Sequence, residues 1–425
     1  MPQLTAVHVS AALTSEGPEV DPREVEAPLR RPMDPWLFAA VFALSALGLV
    51  MVYSASTWLG FHQHHDWGYF LWRQAAFLGV GFVLMLAVSR LDYRLLRRFA
   101  PHLMFIAMAM LVAVLFVGQE INGARRWVRF GSFGLQPSEL AKITLAVFLA
   151  SMLARQGERV RKFRTGFLPV TMVAAITMVL VLLEKDLGTT LLMGALTLVM
   201  LFVAGTRASY VVAAVMLAAP MIWYQILGVD YRRGRLEEFL AGDSYQVQQG
   251  LIAIGSGGTW GLGLGNGKQK LGFLPENHTD FVLATVGEEL GFVGIAAVMI
   301  LLGVVVWRGI AIARVAEDRF GTYLAAGLSA LFGLQALVNM GVVLEVIPAK
   351  GITLPFLSYG GSSMLAGMGA IGILLSISRS PDAWRWSDQR SRNRVKPLRP
   401  GKREPEGPRK RNVRRAAPQV GDAVA

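Results

Sequence analysis

The chain has no cysteine, which excludes disulfides and thiolate chemistry and leaves its redox compartment unmarked. Charge is also sparse: 17% of the 425 residues are Asp, Glu, Lys or Arg against 53% hydrophobic, a balance that argues against a water-soluble globule. Histidine is rare, and the cluster His62, His64 and His65 has only Asp66 beside it, so no closed metal-ligand set is visible. The first 34 residues contain no apolar h-region and do not resemble a cleavable signal peptide. The apolar run that follows them reads instead as a signal anchor.

What the chain does have is repetition of long apolar runs, and a mean hydropathy of +0.45. Runs near 35–56, 70–88, 100–118, 138–154, 167–183, 188–204, 210–227, 281–306, 321–343 and 359–378 reach or approach the length needed to cross a hydrocarbon core of about 30 Å as helices. They predict an all-α polytopic membrane protein with about ten transmembrane helices and a large extracytoplasmic loop, 228–280, between helices 7 and 8. Residues 1–34 and 379–425 read as tails without a core of their own around a 35–378 membrane domain. An even number of spans puts both tails on one side.

Charge then orients the chain. The connections at 89–100, 155–166, 205–209 and 307–320 are rich in Arg and Lys, as is the Pro-rich final tail, so that side is predicted to be cytoplasmic. The net charge of +13 is concentrated there, beside a membrane span, which favours contact with anionic lipid over nucleic acid. Against this bias, the opposite side keeps Arg125, Arg126, Arg129 and Lys142, then Arg232, Arg233 and Arg235, and further on Lys268, Lys270 and Lys350. Guanidinium groups bind phosphate oxygens in bidentate fashion, so these cations suggest an anionic ligand near the membrane surface. The alternative is local pairing with Glu120, Glu139, Glu237, Glu238 and Asp243.

The stretch "LPENHTDFVLATVGEELG" puts five titratable groups at the mouth of an apolar segment. If a helix starts at Pro275, Asp280, Ala284, Gly287 and Gly291 share one small-residue face. A neighbouring helix then comes close, and desolvation raises the Asp280 pKa towards that of a usable base, with Glu276 one turn earlier adding to the shift. Glu288 and Glu289 lie deeper and read as a structural pair matched by Lys142, Lys350 or an arginine. The preceding "AIGSGGTWGLGLGNGKQK" lacks the flanking βαβ unit of a dinucleotide site and reads as a re-entrant or interfacial loop whose amides can face an anion. "PAKGITLPFLSYGGSS" reads as a broken, polar helix end carrying Lys350 and Ser358.

With these motifs in hand, the chain resembles the SEDS family of peptidoglycan glycosyltransferases. The resemblance spans roughly residues 35–378 and is carried by "VYSAS", "GARRW", "QPSELAK", "LEKDLGTTLL", "YQVQQGLIAIGSGG", "GLGLGNGKQKLGFLPENHTDF", "GEELGFVG" and "PAKGITLPFLSYGGSS". Lys185, Gly250 and Glu345 depart from the usual pattern. The resemblance implies a bacterial cytoplasmic-membrane enzyme that polymerises lipid II, an undecaprenyl-diphosphate-linked disaccharide, beside a class B penicillin-binding transpeptidase and other divisome proteins. It assigns the essential carboxylate to Asp280, an acid and lysine to Glu139 and Lys142, and a basic pair to Arg125 and Arg126. The lysine of "PAKG", Lys350, is similar to that of the division (FtsW) branch rather than the elongation (RodA) branch.

These readings give an inverting glycosyl transfer with Asp280 as general base. The cations Arg125, Arg126, Lys142, Arg232, Arg233, Arg235 and Lys350 are candidates to hold the diphosphate, with Glu139, Lys270, Glu276 and Ser358 as further substrate-binding candidates. No cofactor is required by the sequence, and a divalent cation is left open. A lipid II flippase and a non-catalytic divisome scaffold are the competing readings.

Overall fold

The apolar runs all become helices in the computed structural model, which describes residues 32–121, 123–131 and 133–379. The expectations for the two tails fall almost wholly outside those residues. In chain order the helices are α1 (Pro35–His64), α2 (Tyr69–Arg90), α3 (Arg94–Val117), α4 (Pro137–Gln156), α5 (Leu168–Leu183), α6 (Leu187–Val203), α7 (Ala208–Leu227), α8 (Asp230–Ala241), α9 (Tyr245–Gly257), α10 (Val282–Val315), α11 (Arg319–Val343) and α12 (Gly361–Ser378). Their starts follow local chemistry. Asp34, Asp186 and Asp318 cap α1, α6 and α11 by accepting the amides of Leu37, Thr189 and Gly321. Pro35 and Pro137 occupy first turns, where no amide is needed.

Among the described residues, nine helices are long and apolar enough to cross a membrane: α1 to α5, α7 and α10 to α12, with α5 lengthened by the π-helical turn Phe163–Phe167 to a 21-residue run, Phe163–Leu183. The tenth expected span is α6, apolar but 17 residues long. At 1.5 Å per residue it reaches about 25 Å, short of a full hydrocarbon core. Helix α2 lies along α12, α3 along α4, and α10 against α1, α9 and α11. The innermost side chains, among them Leu37, Met51, Met85, Leu111, Leu145 and Phe320, come from the helices so joined. Large apolar side chains such as Trp72, Phe105, Phe116 and Leu217 face outward, the surface a bilayer covers.

Two segments expected to be loops are structured. The connection between α3 and α4 contributes a three-stranded antiparallel sheet, β1 (Gln119–Ile121), β2 (Ala124–Phe130) and β3 (Phe133–Leu135), in the order β1-β2-β3. The all-α reading omits it. The 228–280 connection contains α8 and α9, and α9 buries Val247, Gly250, Ala253 and Gly257. A Cβ on Gly257 would stand 1.9 Å from the carbonyl oxygen of Gly287, so only glycine lets α9 reach α10 here.

The helix expected from Pro275 begins instead at Val282. Glu276 has a left-handed backbone (φ 53°), and the amides of Thr279 and Phe281 both turn back to its carbonyl oxygen. Asp280 therefore sits in a turn before the helix. Nor is α10 continuous, because Gly291 (φ 67°) splits it into two helical segments. The backbone groups freed by the break are taken up by the glycine-rich loop. Phe292 N–H donates to Gly258 O (2.9 Å), while the amides of Leu262 and Gly263 donate to Glu288 O and Glu289 O (both 3.0 Å). Asp280, Ala284, Gly287 and Gly291 thus do not share one unbroken helical face.

Candidate active site

The end of the bundle formed by the sheet, α8, α9 and the chain that leads into α10 and α12 gathers the candidate residues. Asp280 is half-buried there, its backbone carbonyl held by Asn339 Nδ2 at 2.7 Å. The chain at Gly351 passes so close that a Cβ at that position would stand 3.0 Å from Asp280 Oδ2. Burial raises the Asp280 pKa to about 7; the charge of Glu276 adds to the shift and Arg235 opposes it. A carboxyl in that range is ionised in part near neutrality and can both take and hold a proton.

Cations surround it from three elements. Arg235 of α8 donates to Ala349 O (3.0 Å) and lies over the Tyr231 ring, 4.9 Å from its centroid. Arg232, in the first turn of α8, donates to the carbonyl and the side-chain oxygen of Gln225 at 3.1 and 3.0 Å. Arg126 of β2 donates to Glu184 O (3.2 Å) and Lys185 O (2.5 Å), pinning the sheet to the turn between α5 and α6. Lys350 makes no ion pair among the described residues, and its pKa is lowered by burial and by the charge of Arg232. Arg232 is likewise lowered by burial and by Arg126. Burial comes first in both cases, Arg126 acts on Arg232 and Arg232 on Lys350, and Asp186 opposes both shifts, so an added anion would favour the charged form of each.

Other candidates lie apart or are engaged. Arg125 alternates to the other face of β2, where it is exposed and 3.5 Å from Glu120. Arg233 and Glu237 pair at 2.7 Å on the exposed face of α8. Glu276 is exposed and accepts from the Thr279 hydroxyl at 2.7 Å. Ser358 is buried with its Oγ accepting the Leu354 amide at 2.8 Å, which closes a turn of its own loop. Glu139 and Lys142 form a buried pair at 2.9 Å in the first turns of α4 and line a separate cavity with Gln335, Phe356 and Ser363.

Lys270 is not free to meet a ligand. Its Nζ lies 2.6 Å from Glu289 Oε1 and 2.9 Å from Ser54 Oγ. The expected partners of the deep acids, Lys142, Lys350 or an arginine, give way to this lysine. The Ser54 hydroxyl completes Glu289, and the amides of Gly265, Lys268 and Gln269 complete the pair of carboxylates. The anion that the glycine-rich loop receives is thus the chain's own.

Two acids of "LEKDLGT" belong to this end and were not among the expected site residues. Asp186 caps α6 through Thr189 and contributes to the fields at Asp280, Arg232 and Lys350. Glu184 is buried with both carboxylate oxygens unpartnered, and burial with the neighbouring Asp186 raises its pKa to about 8. The signal was available: two acids in the turn between consecutive apolar spans.

Comparison with known proteins agrees with this architecture. Residues 35–382 match the family described as "Cell cycle protein", which covers FtsW, RodA and SpoVE, and the chain belongs to that family. It is 44% identical over 350 residues to the "Probable peptidoglycan glycosyltransferase FtsW" of Trichlorobacter lovleyi, covering 80% of this chain and 92% of that one. Stage V sporulation protein E of Bacillus subtilis is 39% identical over 79% of this chain and 94% of its own length. Among solved structures, the chain resembles one described under "Structural coordination of polymerization and crosslinking by a peptidoglycan synthase complex", at 30% identity and TM-score 0.68. That match covers 83% of this chain and 99% of the other. The rod shape determining protein RodA of Thermus thermophilus matches at 31% identity and TM-score 0.63, over 83% and 98% of the two chains.

Proposed function

We propose that the protein is a peptidoglycan glycosyltransferase that polymerises lipid II into glycan strands at the outer face of the bacterial cytoplasmic membrane during cell division. The observation that carries this reading is the half-buried Asp280 carboxyl, closely approached by the chain at Gly351 and pushed by burial to a pKa of about 7, with Arg235, Arg126, Arg232 and Lys350 at the same end of a membrane bundle. In the reaction, the acceptor sugar's 4-hydroxyl attacks the anomeric carbon of the donor sugar. Asp280 takes the hydroxyl proton, the new C–O bond forms with inversion, and the lipid diphosphate leaves with the electron pair of the broken bond. A positioned base contributes about 10²–10⁴-fold. Charge growing on the diphosphate is met by cations already in place, for which Arg126, Arg232, Arg235 and Lys350 are best situated.

The names of the curated relatives support the activity, and Lys350 of "PAKG" together with the FtsW relatives supports the division branch. The resemblance to a component of a peptidoglycan synthase complex supports a class B penicillin-binding transpeptidase as partner. The positive-inside pattern supports cytoplasmic termini. Adding a chelator to the assay tests whether a divalent cation assists at the diphosphate.

The deciding experiment uses the full chain with its transpeptidase partner and lipid II, with crosslinking blocked, and follows glycan length. Wild type makes strands, and Asp280→Asn makes none while still binding lipid II. An Asp280→Asn protein that polymerises at the wild-type rate removes Asp280 from the chemistry. Transport of lipid II across liposomes without any strand formation would favour a flippase, and neither activity would leave a scaffold.

A further inference from the structure

We infer that Asn339 is a positioning residue for the Asp280 carboxylate: its side-chain amide ties the turn that carries the acid to the stretch of chain that covers it. The inference rests on the reading of Asp280 as the general base. Asn339 lies near the end of α11 and is 1% exposed. Its Nδ2 donates to two carbonyl oxygens from separate segments, Asp280 O at 2.7 Å and Ile352 O at 2.8 Å. An amide nitrogen has two hydrogens, so both are used. They hold residues 280 and 352 on one atom, and Gly351 between the tie and the carboxylate is the residue whose added Cβ would stand 3.0 Å from Asp280 Oδ2.

The other half of the same side chain points to what the tie is for. Asn339 Oδ1 is buried and has no hydrogen-bond partner. A side chain chosen only for packing at such a site would be apolar, because an unsatisfied buried acceptor destabilises the fold. What the amide supplies and an apolar residue cannot is the double donor. Without it, the turn at 276–281 and the chain at 350–352 are free to separate and water enters between them.

That separation changes Asp280 in a defined direction. The charged groups acting on its carboxylate are Glu276 from its own turn, Arg235 from α8, Asp186 at the start of α6 and Arg126 from β2. None of them is on α11 or the 350–352 stretch, so opening the tie leaves the charges and removes desolvation. Loss of desolvation returns a carboxyl towards its ordinary, lower range. The base becomes weaker and its distance from the acceptor hydroxyl less well fixed, while Arg126 of β2 and Arg232 of α8, which are held outside that stretch, stay in place.

The test is steady-state polymerisation by the full chain with its transpeptidase partner, measured against pH for wild type, Asp280→Asn and Asn339→Ala. For Asn339→Ala we expect kcat lower by about 10–100-fold, the scale of a misplaced reacting group, with a smaller change in KM for lipid II, because Arg126 and Arg232 keep their places while Lys350 moves with the released stretch. The acid limb of its pH profile should move down by about one unit, and amide exchange in peptides covering 276–282 should quicken. Unchanged kcat and acid limb overturn the assignment, as does a fall in kcat with the acid limb in place, which is what general damage gives. An active Asp280→Asn protein defeats the general-base reading itself and is a separate result. Should Asn339→Ala fail to assemble, Asn339→Ser, which keeps one donor, carries the same readouts with a smaller shift.

Discussion

Lys270 Nζ and Glu289 Oε1 lie 2.6 Å apart with both side chains buried, and the Ser54 hydroxyl bridges them from α1. One ion pair thus joins the glycine-rich loop, the break in α10 and the first helix. Removing one partner strands the other charge, so Lys270→Met should destabilise the protein by about 3–5 kcal/mol. Lys270→Met with Glu289→Leu should recover much of that loss. Thermal unfolding in detergent measures both, and equal Tm values for Lys270→Met and wild type would contradict the account.

The pH dependence of polymerisation carries a sign. Asp280 must be ionised to accept a proton, so the rate should rise with pH through about 7. The Glu276 charge raises that pKa and Arg235 lowers it. Glu276→Gln should move the acid limb down and Arg235→Gln should move it up. Shifts in the same direction for both would exclude Asp280 as the titrating group.

Gly351 is predicted to tolerate no side chain. An added Cβ would meet Asp280 Oδ2 at 3.0 Å, so Gly351→Ala should displace the carboxylate and lower kcat by up to about 10²-fold. Single-turnover rates at saturating lipid II would reveal it, with folding checked by size-exclusion behaviour.

The two arginines of "GARRW" should part company. Arg126 reaches the site and holds the 184–185 turn, whereas Arg125 is exposed beside Glu120. Arg126→Ala should weaken binding of a diphosphate lipid by about 10–100-fold, the value of a charge-assisted hydrogen bond, and Arg125→Ala by little. Binding titrations on the two variants decide it.

Much of the bundle was legible because hydropathy alone marks a run long enough to span a bilayer, and all ten expected runs are helices. The sheet was harder, yet the dipeptide at 122–123, Asn-Gly, is a hairpin signal, and "RRWVRF" has the strand-forming residues to follow it. Helix α8, "DYRRGRLEEFLA", is charged along most of its length, and its apolar stripe of Leu236, Phe239 and Leu240 spans only about one turn, too little to set it apart from a loop. At the site, sequence pointed to Asp280 but not to its turn, because the left-handed Glu276 replaces the helical start that Pro275 suggests. It also gave no means of choosing Lys270 for Glu289 over other lysines. That choice depends on the loop folding back, a contact between segments and not a local pattern.

The loop at 258–270 has a further consequence for how the protein meets anions in solution. Its amides at Gly265, Lys268 and Gln269 already face the carboxylates of Glu288 and Glu289. Inorganic phosphate or sulfate therefore finds these three amides occupied and has the arginine and lysine side chains to compete for. Attraction of that kind is screened within roughly 8 Å at physiological ionic strength wherever the groups are open to water. Salt concentration should accordingly govern capture of a charged lipid while leaving the loop itself untouched, because the carboxylates it holds are part of the same chain.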